Sequence, residues 1–264
     1  MNNVLIVSSK KYLKSKHYNE LISLLNKNKI KYLNYYVESF NFKYSNLKDT
    51  NLIISVGGDG TALKSMKLGW SKNIPVLSIG SGRIGYLVNN LKELDFNLFF
   101  DKKITYNLKK PIIQNGDVST PAFNEVVIIK NSPTRLLDLE INTYNQKVNL
   151  RADGIIISTA LGSTAYNYSA GGPIVQSSLE SLIVTPISPF TKFPRSIVLD
   201  PKSEIKVVIK KGQNYSIQFD GFEVFKTIEN IDKEYNYKLS NKKLKLLNSS
   251  DEPKLNHFLN QILR

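Results

Sequence analysis

Apolar residues follow two different rhythms along this chain. Over the first hundred residues, short unbroken apolar runs alternate with stretches in which apolar side chains recur every three or four positions. Val4-Leu5-Ile6-Val7 and Leu52-Ile53-Ile54-Ser55-Val56 are unbroken runs, the pattern of strands buried on both faces. Between them Leu13, Leu21, Leu24 and Leu25 fall at helical spacing across residues 11–26, and residues 31–37 read as a further strand. Residues 62–68 open a helix, residues 74–79 form another strand, and residues 91–100 suggest a short helix. Strand alternating with helix implies an α/β unit with a parallel sheet and covering helices.

From about residue 104 the rhythm shortens. Strand-like runs cover residues 104–114, 122–130, 136–143, 154–158, 181–186, 196–199, 204–210, 215–219 and 235–239, with turn residues between them. Only residues 253–264 carry a strong late helical pattern. The expected organisation is an α/β domain over residues 1–101, an all-β, sandwich-like domain over 102–252 and a C-terminal helix over 253–264. No internal repeat or low-complexity segment interrupts it.

Composition narrows the chemistry. The 264 residues contain no cysteine, which excludes thiol nucleophiles, disulfides and cysteine-held metal clusters. His17 and His257 both lie in helical patterns near the ends, so acid–base work falls to carboxylates, Lys or Tyr. Thirty-six Lys+Arg against 22 Asp+Glu give a net charge of +14, which favours anionic partners. The lysines form no block and accompany no nucleic-acid-binding motif, so the expected partners are phosphate-bearing small molecules and not nucleic acid. The first residues turn polar too soon for a signal peptide, and no run reaches membrane-spanning length; the expectation is a cytoplasmic protein.

Four segments carry chemistry. Gly57-Gly58-Asp59-Gly60-Thr61 follows a buried strand and precedes a helix, a geometry that aims backbone N–H groups at a phosphate. Thr61 is placed to cap that helix, although a plain tight turn with an Asp cap would use the same residues. Gly80-Ser81-Gly82-Arg83-Ile84-Gly85 matches the dinucleotide pattern, with Asp101 about 20 residues on, but the extended-looking Tyr86-Leu87-Val88 follows it where a helix should open. It reads as a glycine-rich substrate loop. Asn124-Glu125 opens an apolar strand, and an Asn amide both donates and accepts toward an adenine edge or a ribose hydroxyl. The segment from Arg151 through Asp153 to Pro173 runs from a buried strand into hydroxylated and small residues, a close-fitting polar wall for a sugar–phosphate ligand.

In this order the segments resemble the NAD kinases. Residues 57–64 resemble the family's GGDGT phosphate motif, Asn124-Glu125 its Asn-Glu motif, residues 153–173 its DG…STxxGSTAYxxSAGGP signature, and Thr185-Pro186-Ile187-Ser188-Pro189 its later TPI-x-P segment. The resemblance implies transfer of the terminal phosphate of ATP, or of polyphosphate, to the 2′-hydroxyl of the adenosine ribose of NAD, with Mg²⁺ on the donor phosphates and no firm protein-held metal site. It implies Asp59 as general base, and Gly57, Gly58, Gly60, Thr61 and Lys64 at the donor phosphates. Asp59, Gly60, Asn124, Glu125, Arg135, Arg151, Asp153, Thr164, Ala165, Tyr166, Asn167, Ser169 and Ser188 are the implied NAD contacts, with Arg151 and Asp153 lining the same pocket. It further implies a homodimer or homotetramer and no membrane partner. Ser78, Gly80, Phe190 and Phe222 stand where the family pattern has Gly, Asn, His and Gln, which bears on NAD against NADH. A lipid kinase of the diacylglycerol or sphingosine type shares the glycine turn, and a non-catalytic NAD(P)-binding module would share the pocket.

Overall fold

The computed structural model describes residues 3–38, 49–80, 87–89, 106–115, 117–144, 146–193, 195–228 and 230–247. The helices expected over 91–100 and 253–264, and residues 81–86 of the glycine-rich loop, lie outside these. The chain forms two compact units, one drawn from Met1–Lys109 with Lys242–Arg264 and the other from Lys110–Asn241. The sequence pattern places one division near residue 101; the chain passes between the units twice, after Lys109 and after Asn241.

The first unit is built from β1 (Asn3–Ser8), α1 (Lys16–Lys27), β2 (Lys31–Tyr36), β3 (Leu52–Gly57), α2 (Asp59–Lys72), β4 (Val76–Gly80) and β5 (Tyr106–Lys109). A strand from the far end of the chain, Leu244–Leu247, completes its sheet in the order β2-β1-β3-β4-(244–247)-β5. All neighbours are parallel except β5, which runs antiparallel to Leu244–Leu247. Every residue of β3 is buried, as an unbroken apolar run requires when both faces are covered. Leu52, Ile54 and Val56 join Tyr18, Leu21 and Leu25 of α1 in one core cluster, while α2 packs against β1, β3 and β4. Ser15 caps α1 by accepting the Tyr18 N–H at 3.2 Å. The α2 helix ends at Asn73, whose left-handed φ of 59° lets its N–H return to the carbonyls of Gly69 and Trp70.

The second unit contains β6 (Ile112–Gln114), β7 (Asp117–Ala122), β8 (Glu125–Lys130), β9 (Leu137–Thr143), β10 (Gln146–Ala152), β11 (Gly154–Thr159), β12 (Leu182–Ile187), β13 (Ile197–Leu199), β14 (Ile205–Ile209), β15 (Asn214–Phe219), β16 (Phe222–Ile228) and β17 (Lys233–Leu239); Leu244–Leu247 is then β18. They form two antiparallel sheets, β10-β9-β14-β17-β6-β7 and β13-β12-β11-β8-β15-β16. Alternate residues of both sheets, among them Leu139, Val207 and Tyr237 from one and Ile128, Ile157 and Ile217 from the other, share a single apolar core. This is the sandwich expected from the alternating pattern.

Candidate functional site

The sheet of the first unit reverses its winding direction between β1 and β3. The glycine turn sits at the carboxyl end of β3, beside the end of β1, where Ser8 pairs with Val56. Open α/β sheets bind ligands at such a switch point. Its three glycines serve two purposes. A Cβ on Gly57 would meet Thr61 Oγ1 at 2.7 Å and the Tyr12 ring at 3.3 Å, so glycine is needed there for the turn itself. A Cβ on Gly58 or Gly60 would meet nothing within 4 Å. The protein's own packing does not require glycine at these two positions; the bare backbone leaves room for a ligand.

The helix begins earlier than its sequence pattern suggests. Gly58 is the N-cap of α2 and Asp59 its first residue, so Thr61 lies inside the first turn and does not cap it. The N–H groups of Thr61 and Ala62 both return to the Gly58 carbonyl, at 3.0 and 3.1 Å. Asp59 stands where the helix dipole favours negative charge. Its Oδ1 accepts the Leu87 N–H at 2.9 Å. Leu87 is itself held in place. Two residues on, Asn89 donates its backbone N–H to the Ser78 carbonyl at 2.7 Å, and its side-chain amide bonds the carbonyls of Ser78 and Leu247 at 2.9 and 3.3 Å. The Asp59 carboxylate is thus oriented by a segment anchored to the sheet. Lys64 is half-buried on the same helix.

In the second unit, Asn124 lies in the turn between β7 and β8 and Glu125 opens β8, against the segment after β11. Gly162 makes that contact possible: a Cβ there would fall 2.2 Å from the Asn124 carbonyl oxygen and 2.5 Å from its Cα. The rest of the segment is sorted by burial. Ser163 and Asn167 are fully buried. The Ser163 hydroxyl shares its one proton between the Ala160 and Val175 carbonyls and accepts the Val175 N–H. The Asn167 amide donates to the Ser163 and Pro173 carbonyls and accepts from Thr185 Oγ1 at 2.7 Å. Asn167, expected at the ligand from the sequence, spends its amide inside the fold, where it holds the segment. Thr164 and Ala165 are half-buried, and Tyr166, Tyr168 and Ser169 are exposed. The anchors face in and the displayed residues face out.

Arg151, Asp153 and Ser188 gather elsewhere, at the opposite end of β11. The Asp153 N–H donates to the Ile187 carbonyl at 3.0 Å, and its carboxylate pairs with Lys130 at 2.5 Å. Arg151 pairs with Asp138 at 2.8 Å and lies over the exposed Phe190 ring, 5.8 Å from its centroid. Ser188 is exposed with a positive φ of 46°. A six-residue strand separates the two groups by roughly 17 Å. Arg135 is exposed on the loop before β9. Phe222 is exposed at the start of β16. Asp220, which precedes Gly221 and Phe222 and to which the sequence assigns no role, reaches the Asn124 turn: its carboxylate accepts the N–H groups of Phe123, Asn124 and Glu125 at 3.0, 2.7 and 3.2 Å.

The architecture is that of the NAD kinase fold. A crystal structure of an NAD kinase from Archaeoglobus fulgidus in complex with ATP aligns over 99% of this chain and 98% of that one, with a TM-score of 0.76 at 23% identity. The yeast NADH kinase complexed with NADH aligns over 100% of this chain and 87% of that one, with a TM-score of 0.83 at 20% identity. Family profiles then match by sequence: the ATP-NAD kinase N-terminal domain over residues 5–98 and the ATP-NAD kinase C-terminal domain over residues 123–249. The NAD kinase of Caldicellulosiruptor bescii is 34% identical over 227 residues, 82% of this chain and 83% of that protein. The bifunctional NADP phosphatase/NAD kinase of Methanocaldococcus jannaschii is 37% identical over 180 residues, 64% of this chain, and the match spans only 31% of that protein. The chain belongs to the NAD kinase family.

Proposed function

We propose that this protein phosphorylates NAD, moving the terminal phosphate of ATP to the 2′-hydroxyl of the adenosine ribose and releasing NADP and ADP. The observation that carries this reading is the β3–α2 turn, where an oriented carboxylate stands beside backbone that the fold leaves bare at Gly58 and Gly60. Asp59 takes the proton of the 2′-hydroxyl. The freed oxygen bonds to the terminal phosphorus as the bond to the bridging oxygen breaks, and that electron pair leaves on ADP. Gly57, Gly58, Gly60 and Thr61 cradle the donor phosphates at the helix N-terminus, and Lys64 balances their charge. Mg²⁺ bound to the donor would offset charge on its phosphates. Asn124, Glu125, Thr164, Ala165, Tyr166 and Ser169 receive the adenosine half of NAD, while Arg151, Asp153 and Ser188 form the second group. The protein works as a homodimer or homotetramer in the cytoplasm.

Part of the positive charge is matched within the fold. On the outer face of the β9–β10–β14–β17 sheet, Lys147, Arg151, Lys206, Lys210 and Lys238 pair with Glu140, Asp138, Glu234, Asp232 and Glu204 at 2.7–3.0 Å. Each of these five cations has an acidic partner on that face. The segment after β11 displays hydroxyls and tyrosine rings, which suits a dinucleotide better than a lipid.

The test is product formation by the purified chain. ATP is compared with polyphosphate and NAD with NADH, each with and without Mg²⁺, with diacylglycerol as a control acceptor. The expected result is Mg²⁺-dependent NADP. Phosphorylated diacylglycerol without NADP, or NAD binding without turnover, would overturn the proposal.

A further inference from the structure

The turn that carries Asn124 has every backbone polar group accounted for. The Phe123 N–H goes to Asp220 Oδ2, and the Phe123 carbonyl accepts from Thr159 Oγ1 at 2.6 Å. The Asn124 N–H goes to Asp220 Oδ1, and its carbonyl accepts from the Thr159 N–H at 2.9 Å and Ser158 Oγ at 3.2 Å. The Glu125 N–H goes to Asp220 Oδ1, and its carbonyl accepts the Asp220 N–H at 3.0 Å. One carboxylate therefore takes all three N–H groups. It is more than nine-tenths buried and reaches across 95 to 97 positions of sequence. Asp220 adopts a left-handed φ of 52°, a conformation that Asp tolerates better than most residues, and Gly221 follows at 76°. Gly162 closes the other side of the turn.

This is more restraint than a strand connection needs. It fixes the Asn124 peptide on both sides, while the half-buried Asn124 amide has no hydrogen bond among the described residues. We infer that Asp220 is a positioning residue for the nucleotide acceptor: through three charge-assisted bonds it sets the Asn124 side chain in the orientation that reads the adenosine half of the dinucleotide. The inference rests on the proposed NAD-phosphorylating reading. Asp220 touches no reacting atom, so its effect falls on acceptor affinity and leaves donor affinity alone.

Asp220→Asn separates this role from a merely structural one. An amide places an NH₂ group where one backbone N–H now finds an acceptor, so at least one bond is lost and two donors face each other. The variant and the wild-type chain are assayed for NADP formation with NAD and ATP varied in turn, and for NAD binding by calorimetry without donor. The expected result is a rise of about tenfold or more in KM and Kd for NAD, with KM for ATP within about twofold. A loss of folded protein alone would lower kcat and leave both KM values in place. An unchanged KM and Kd for NAD in a folded Asp220→Asn chain would overturn the inference. If that variant does not fold, Thr159→Val, which removes the hydroxyl bonded to the Phe123 carbonyl, carries the test: it should raise KM for NAD, and Thr159→Ser should restore it. Equal KM values in that pair would likewise overturn the inference. A wild-type chain that binds NAD but makes no NADP defeats the proposed function, and the calorimetric comparison still decides the role of Asp220. No NAD binding by the wild type defeats both.

Discussion

Gly60→Ala should uncouple stability from activity. Nothing lies within 4 Å of the added methyl, and Gly60 is exposed in the first turn of a helix. The substitution removes freedom from the unfolded chain, so stability should hold or rise by up to ~1 kcal/mol. The methyl would, however, occupy space beside the N–H groups at the head of α2. Displacing one phosphate oxygen from one such donor forfeits a bond to a charged group, about 1.5–3 kcal/mol, or roughly ten- to 150-fold in kcat/KM for ATP. Gly58→Ala, also in open space, should lose kcat/KM for ATP in the same way, but at the N-cap, where Ala is disfavoured, it should cost up to about 1 kcal/mol of stability. Gly57→Ala is the contrasting control: its Cβ would lie 2.7 Å from Thr61 Oγ1, and overpacking of this kind costs about 1–3 kcal/mol of stability. Urea unfolding of the three variants, with initial rates at varied ATP, gives both readings. A Gly60→Ala chain that lost more than ~1 kcal/mol would refute the open-space reading, and one with wild-type kcat/KM for ATP would refute the phosphate cradle.

Other outcomes follow from single contacts. Gly162→Ala drives a methyl into the Asn124 backbone and should cost about 1–3 kcal/mol or more, read by urea unfolding, together with a higher KM for NAD. The Tyr237 hydroxyl is fully buried with no hydrogen-bond partner among the described residues, so Tyr237→Phe should stabilise the chain by about 1 kcal/mol. Burial first, then the Tyr235 and Tyr215 phenols, push the Tyr237 phenol well above its ordinary range. Its folded pKa therefore exceeds its unfolded one, so stability is held below the unfolded value near 10 and falls as pH rises past it. Unfolding midpoints between about pH 9 and 11 should show that decline in the wild-type chain and a shallower one in Tyr237→Phe.

Much of the first unit was legible because its strands are buried on both faces: β3 reads as apolar from Leu52 to Val56 and cannot be mistaken for a loop. Two strands at sheet edges, β10 and β16, were not. In β10, which lies at the edge of its sheet, only Leu150 and Ala152 are buried among polar neighbours, and β16 also closes an edge. The return of Leu244–Leu247 to the first sheet has no local signal, since an apolar tetrad gives no hint of which sheet it joins. The displayed candidate residues could be proposed because their chemistry is written in motifs. The residues that hold them could not. Asp220 lies about 95 positions from the turn it clamps, and Asn167 shares a motif with exposed neighbours while facing the interior. Thr61 resembles a cap, but the chain enters the helix two residues sooner, at Asp59, because Gly58 takes the N-cap position.

The central claim is that the Asp59 carboxylate takes a proton from the 2′-hydroxyl of NAD. Asp59→Asn tests it cleanly, because an amide oxygen can still accept the Leu87 N–H that orients the side chain. The measurement is NADP formation from NAD and MgATP by the wild type and the variant, with NAD affinity measured on both. The account predicts near-equal affinity and a fall in turnover of about 10² or more. An Asp59→Asn enzyme that makes NADP at the wild-type rate would contradict it.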